Sequence, residues 1–457
     1  MNRIFNFSRF SGIVFICLIF SFSELLAADR TVCGAIMFRD IRQNCDGCGN
    51  PEDIVGLINP CGQATYQYAG YVQVEVWDYD PGSNEDEFIG AWRVNGYGPF
   101  CITFPWEGED YQLGEANPDP YFSITWDYGV PGKGWIYVRD FPNEDRPASV
   151  SWPGNHYLDC PSGSICWLSN VNYISTSATS DETQMANIAD SALHATNVFG
   201  GAASPFRMPD ATILYCDEGD CEPCEEGEER LRDGCGCRTL LSGWGYNPIW
   251  LPYHDADDPY AVCHEQGHLL SSHLFEGNGP GVYDYRKNGQ NGHGFETSEY
   301  DKVATFEGWA NYVAIRSWWD SENINSSPCW AGRHFEPNSL VHSDTGDSCE
   351  DNRGIEILVA KGFWDMDDAS IDCSFPPALS RCDNLNLDTR TQIVAAWNAF
   401  SDGTSNRQEQ EADVNGTNLF DYWYNASFQS TVWSTAESTA VQTVLMTMTC
   451  QNTMDVN

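Results

Sequence analysis

The sequence predicts a multidomain, disulfide-rich protein: an all-β sandwich over residues 29–150, then an α+β unit over 181–457, with 151–180 as the linker. Three observations carry this. Short segments with period-two alternation crowd the first part. Longer segments with helical spacing dominate the second. And the chain holds 19 cysteines, an unusual load that points to an oxidising compartment.

Residues 1–28 read as a secretory leader. Arg3 and Arg9 give it a positive start, Gly12 to Phe20 is apolar but too short to span a bilayer, and Leu25-Leu26-Ala27-Ala28 offers small residues for cleavage. Cleavage removes Cys17, and the even number left predicts up to nine disulfides. Cys33, Cys45, Cys48 and Cys61 are expected to staple the first loop. No later stretch is apolar enough to insert in a membrane.

Strands are predicted at 71–77, 100–104, 121–126 and 134–138, punctuated by Gly, Pro, Asn and Asp. In the turn after the first, Asp78, Asp80 and Asp86 offer hard oxygen ligands for Ca2+; the same turn also reads as a solvated acidic hairpin, and both readings stand. The linker carries a short Cys160–Cys166 loop. A helix follows over 181–199, with Met185, Ile188, Ala189, Ala192, Leu193, Thr196 and Val198 on its buried face and Gly200-Gly201 as its stop. His194 in it reads as packed or exposed. Next come a strand at 211–215, an acidic Cys-rich insertion at 216–237 and a short strand at 247–252. Gly- and Asn-rich residues 276–297, including His293, form a loop that could line a cleft. Residues 354–365, 389–400 and 435–448 read as helices, and Asp365, Asp367 and Asp368 as a second acidic cluster, either a cation site or a solvated helix end.

The formal net charge is −43, with 66 acidic against 23 basic residues. That excludes nucleic acid as a partner class, because phosphate binding needs clustered cations. It also disfavours anionic membrane surfaces.

The chemistry concentrates in Ala261-Val262-Cys263-His264-Glu265-Gln266-Gly267-His268-Leu269-Leu270. Asp258 fits the N-cap and Pro259 the first helical position. Residues four apart on a helix share a face, so His264 and His268 can both ligate one metal ion. Glu265, a quarter-turn round from His264, can act as general base toward the ion's open position without being a ligand. Gln266 and Gly267 only space the motif. The third ligand is expected to be Glu307, in Val303-Ala304-Thr305-Phe306-Glu307-Gly308-Trp309-Ala310-Asn311-Tyr312-Val313. There Ala304, Glu307, Gly308 and Asn311 share a face that a second helix could approach closely. Asn311 is positioned to hydrogen-bond a ligating histidine. His273 is out of register for ligation and reads as a surface residue.

His264-Glu265-x-x-His268 with Glu307-Gly308-Trp309-Ala310-Asn311-Tyr312 resembles the gluzincins, the thermolysin-like clan of zinc metallopeptidases. The resemblance implies a zincin-like catalytic unit, Zn2+ on His264, His268 and Glu307, Glu265 as general base, and a protein or peptide substrate. Asn311 departs from the clan, which often has aspartate there. Such a site also needs an oxyanion donor, for which His334, His342, Tyr422 and Tyr424 are open candidates. The first part resembles transthyretin-like or carboxypeptidase-regulatory-like sandwiches, and its acidic turn resembles a calcium loop of C2 domains. Two alternatives stand beside the peptidase: a non-enzymatic exported binding protein with a structural or decayed zincin unit, and a zinc hydrolase acting on another carbonyl.

Overall fold

The computed structural model describes residues 28–40, 65–80, 86–106, 117–140, 149–175, 180–200, 207–216, 240–241, 249–252, 258–274, 301–318, 329–330, 333–334 and 356–367. The leader up to residue 27, nearly all of the Cys-rich insertion, the 276–297 loop with His293, and the expected helices at 389–400 and 435–448 lie outside them. So do His342, Tyr422 and Tyr424.

The strands in chain order are β1 (Ala28–Gly34), β2 (Ile36–Asp40), β3 (Thr65–Tyr68), β4 (Val72–Asp78), β5 (Glu87–Arg93), β6 (Phe100–Trp106), β7 (Pro120–Val130), β8 (Gly134–Asp140), β9 (Ser149–Ser151), β10 (Ile165–Trp167), β11 (Asn172–Tyr173), β12 (Ala211–Cys216), β13 (Leu240–Leu241), β14 (Ile249–Pro252), β15 (Cys329–Trp330) and β16 (Arg333–His334). The helices are α1 (Asp181–Phe199), α2 (Pro259–Leu274), α3 (Asp301–Trp318) and α4 (Glu356–Asp367).

Alternation does what it predicts locally. Val72, Val74, Val76 and Asp78 of β4 are buried while the residues between them are half-exposed. In β2, Ile36, Phe38 and Asp40 are buried while Met37 and Arg39 are half-exposed, and Val32 and Cys33 of β1 are buried beside them in sequence. This small layer has strand orders β10-β1-β6 and β11-β2-β3. It lies on the large sheet, where Phe100 and Phe122 meet at 5.0 Å. Gly34 is required at that contact, since a Cβ there would stand 2.8 Å from the Phe122 ring.

The large sheet has eight strands, in the order β13-β14-β12-β8-β7-β4-β5 with β9 also on β7. It crosses the boundary expected at 150–180: β12 pairs in parallel with β8 on one side and β14 on the other. On one face of its second half, Tyr128, Ile136, Val138, Ala211, Ile213, Ile249 and Leu251 are all buried. That face is covered by α1 and α2, and one core runs from Val32 through Phe122 and Leu193 to Leu269. The two expected units therefore share a sheet and a core over the described residues. Alternation alone could not show this, because it tells which face of a strand is buried and not which strand lies beside it.

The 151–180 segment is likewise built into the fold. Exposed Ile165, Trp167, Val171 and Tyr173 alternate with buried Cys166, Leu168, Asn172 and Ile174, and β10 and β11 pair with β1 and β2. Disulfides join Cys160 to Cys166, as expected, and Cys33 to Cys101. The second corrects the expected loop staple: Cys33 faces Cys101 directly across β1 and β6.

Helix α1 matches its expected span. Ser180 caps it by accepting from the Thr183 backbone N–H at 3.3 Å. It is buried nearly all round, against β7 and β8 on one side and α2 and α3 on the other. Phe199 is buried where Val198 was expected, and Val198 is half-exposed. His194 stacks on Trp318 at 3.9 Å, a packing role.

Candidate metal centre

Helix α2 begins as its sequence dictates. The Asp258 carboxylate accepts from the backbone N–H groups of Tyr260 (2.9 Å) and Ala261 (3.3 Å). Val262, Cys263, Gln266, Leu269, Leu270 and Ser271 are buried, so the helix is held on most of its circumference.

Helix α3 meets α2 where the side chains vanish. A Cβ on Gly267 would come 2.7 Å from the Ala310 Cα and 3.1 Å from the Val313 Cβ. Trp309 Nε1 donates to the Gly267 carbonyl at 3.1 Å across the same contact. Gly267 is therefore more than a spacer, correcting the expectation above: its bare backbone lets the helices close. Gly308 does the same toward α4, where a Cβ would stand 2.6 Å from the Val359 side chain and 2.8 Å from the Glu356 carbonyl. Glu307 is thus carried on a helix gripped from two sides.

The result is a triangle. His264 Nε2, His268 Nε2 and Glu307 Oε2 lie 3.1 Å from one another on every edge. Each Nε2 offers either one N–H or one lone pair, and no placement of protons satisfies three equal edges. Ligands ~2.0–2.1 Å from a zinc ion at tetrahedral angles stand about 3.3 Å apart. The donor set and its spacing therefore fit a small divalent cation at the centre. Among the described residues this is the one group of His, Cys, Asp or Glu whose ligand atoms converge in this way. The His264, His268 and Glu307 side chains are 14 %, 9 % and 4 % exposed, so the site opens on the His264 side. Glu265 is buried beside it on α2 and is not one of the converging three.

Asn311 is where α3 places it, one turn beyond Glu307 and fully buried. It does not bond either histidine. Its side-chain oxygen accepts from the Tyr260 hydroxyl, and its amide nitrogen has no hydrogen-bond partner among the described residues. This corrects the histidine-orienting role expected for it. Tyr260 is the residue that sequence reasoning passed over. Its ring lies 5.6 Å from the His264 ring at an interplanar angle of 31°. Burial holds its hydroxyl well above the ordinary tyrosine range, helped by the charges of Glu356, Asp258, Glu307 and Glu265. The signal was available: positions 260, 264 and 268 form one stripe of the helix.

His273 is exposed on α2, and the side chain of His334, a residue of β16, lies outside the described residues. Asp78, Asp80 and Asp86 are not drawn around a common point. Asp78 is buried and accepts from the Asp119 N–H at 2.6 Å, while the oxygens of Asp86 take the Asp80 N–H (3.2 Å) and the Tyr121 hydroxyl (2.8 Å). Burial first, then the charges of Asp80, Asp119 and Glu87, push the Asp78 carboxyl up to about 7, against the pull of the Asp119 N–H. Of the second acidic cluster, the Asp365 side chain and Asp368 lie outside the described residues, and Asp367 is buried rather than solvated, accepting from the Tyr312 hydroxyl (2.9 Å) and Arg316 Nε (2.6 Å). Cys263 is a buried free thiol, so the cysteines beyond the leader cannot close nine pairs.

No protein-family model, curated protein or solved structure matches the chain.

Proposed function

We propose that the chain is an exported zinc metallopeptidase whose catalytic unit is a gluzincin-like arrangement of α1, β12, β14, α2 and α3. The observation that carries this is the convergence of His264, His268 and Glu307, with Glu265 beside them on α2 and outside the ligand set. A metal cage needs no such fourth carboxylate, whereas a hydrolytic site does. A bound zinc ion would supply Lewis acidity, polarising a scissile carbonyl and acidifying water. Glu265 takes the proton of the attacking water and delivers it to the leaving amine. His264, His268 and Glu307 fix the position of that chemistry, and their burial keeps it on the open His264 side. Export is supported by the apolar leader sequence and by the two disulfides. No described helix is long and apolar enough to cross a membrane.

The test is Glu265→Gln. The variant keeps the metal and loses hydrolysis of unfolded protein substrates that the wild type cleaves. A second reading, a non-enzymatic binding protein, draws on the exposed Tyr66, Tyr68, Ile165, Trp167 and Tyr173 of the small layer. Metal-loaded wild type with no hydrolysis of such substrates selects it.

A further inference from the structure

We infer that Tyr260 is a positioning residue of the metal centre: held by Asn311, it presses its ring on His264 and so sets the ligand's orientation. The inference rests on the metal reading above and deepens it.

Three observations meet in this one side chain. First, Tyr260 stands one turn before His264 and two before His268 on α2, and its ring packs on the His264 ring. Rings about 4.5–7 Å apart pack favourably, so the most exposed of the three side chains, His264, is braced from inside the protein. Second, the Tyr260 hydroxyl donates to Asn311 on α3, one turn from Glu307. A single residue therefore ties together the two helices that supply the ligands, at the level of the ligands. The Trp309–Gly267 bond joins the same helices but leaves the histidine ring alone. Third, His264 Nδ1 has no partner among the described residues. Among the described residues no hydrogen bond fixes this histidine from outside, and ring packing supplies a restraint. An amide at 311 also suits this place. Its oxygen accepts from Tyr260 without adding a charge to a pocket that already holds Glu265, Glu307 and Glu356, all buried.

The experiment measures Zn2+ affinity by chelator competition for full-length wild type, Tyr260→Phe and Tyr260→Leu. Visible spectra of the Co2+-loaded proteins and urea unfolding of the metal-free proteins accompany it. Loss of an outer partner typically costs about 10–100-fold in metal affinity. The expected order is wild type, then Tyr260→Phe about tenfold weaker, then Tyr260→Leu weaker again, with shifted Co2+ bands. A merely structural tyrosine gives the opposite pattern: lower metal-free stability with unchanged affinity and spectra, which overturns the inference. Should Tyr260→Leu not fold, Tyr260→Phe, which loses one oxygen, decides alone. Wild type that binds no metal overturns both this inference and the metal centre, whereas wild-type binding with indifferent variants overturns only this one.

Discussion

Replacing Gly267 by alanine should separate the two ligand-bearing helices, and the effect can be worked from the contact itself. The new Cβ would lie 2.7 Å from the Ala310 Cα, about 0.8 Å inside the ~3.5 Å where carbon–carbon contact becomes favourable. The atom it meets is backbone, so a rotamer change cannot relieve the clash and α3 must move. Ala310 is one turn from Glu307. A shift of that size stretches the two 3.1 Å edges from Glu307 to the histidines toward ~4 Å, beyond the ~3.3 Å that a tetrahedral ion spans. Overpacking costs about 1–3 kcal/mol, at the upper end here, while alanine in a helix returns about 1 kcal/mol over glycine. The expected result is a metal-free protein destabilised by about 2 kcal/mol in urea unfolding and Zn2+ affinity reduced about tenfold or more in chelator competition. A Gly267→Ala protein that is about 1 kcal/mol more stable, with unchanged affinity, would refute the close-approach argument.

Two further predictions concern buried groups outside the triangle. Asp78 holds its proton in the native state up to about 7, from an ordinary value of 3.8. The native state therefore binds more protons than the unfolded chain between those values, and stability falls as pH rises through that window. Asp78→Asn should remove this component, so wild type loses urea midpoint relative to the variant from about pH 4 to about pH 7; parallel curves would refute it. Added Ca2+ that raises the wild-type Tm at neutral pH but not that of Asp78→Asn would restore the calcium reading of this turn. Cys263, with its thiol pushed up to about 12 by burial, should resist iodoacetamide in the native protein and be alkylated after unfolding without reductant. Native-state labelling at this peptide would contradict its burial.

The sequence made much of the local structure legible. The span of α1, the Asp258 cap of α2 and the strands near 72–78, 100–106 and 134–140 all follow from alternation, helical spacing and caps. Their partners did not follow. The pairing of β8 with β12 joins residues far apart in the chain, and nothing in either strand's pattern specifies that neighbour. The pairing of Cys33 with Cys101 was hidden for the same reason. At the site, the three converging residues were legible from spacing and from the small residues around Glu307. Tyr260 shares the helix stripe of His264 and His268 but was passed over, because an aromatic at the start of a helix usually signals core. Asp367 misled for a related reason: an acidic residue at a helix end looks solvated until Arg316 and Tyr312 arrive from another helix.

The most direct test of the metal centre is metal content by mass spectrometry of the purified, metal-supplied wild type and of Glu307→Ala. One zinc per chain in the wild type, lost or sharply weakened in the variant, is the predicted result. Zinc retained by Glu307→Ala, or no metal in the wild type, would contradict the centre formed by His264, His268 and Glu307.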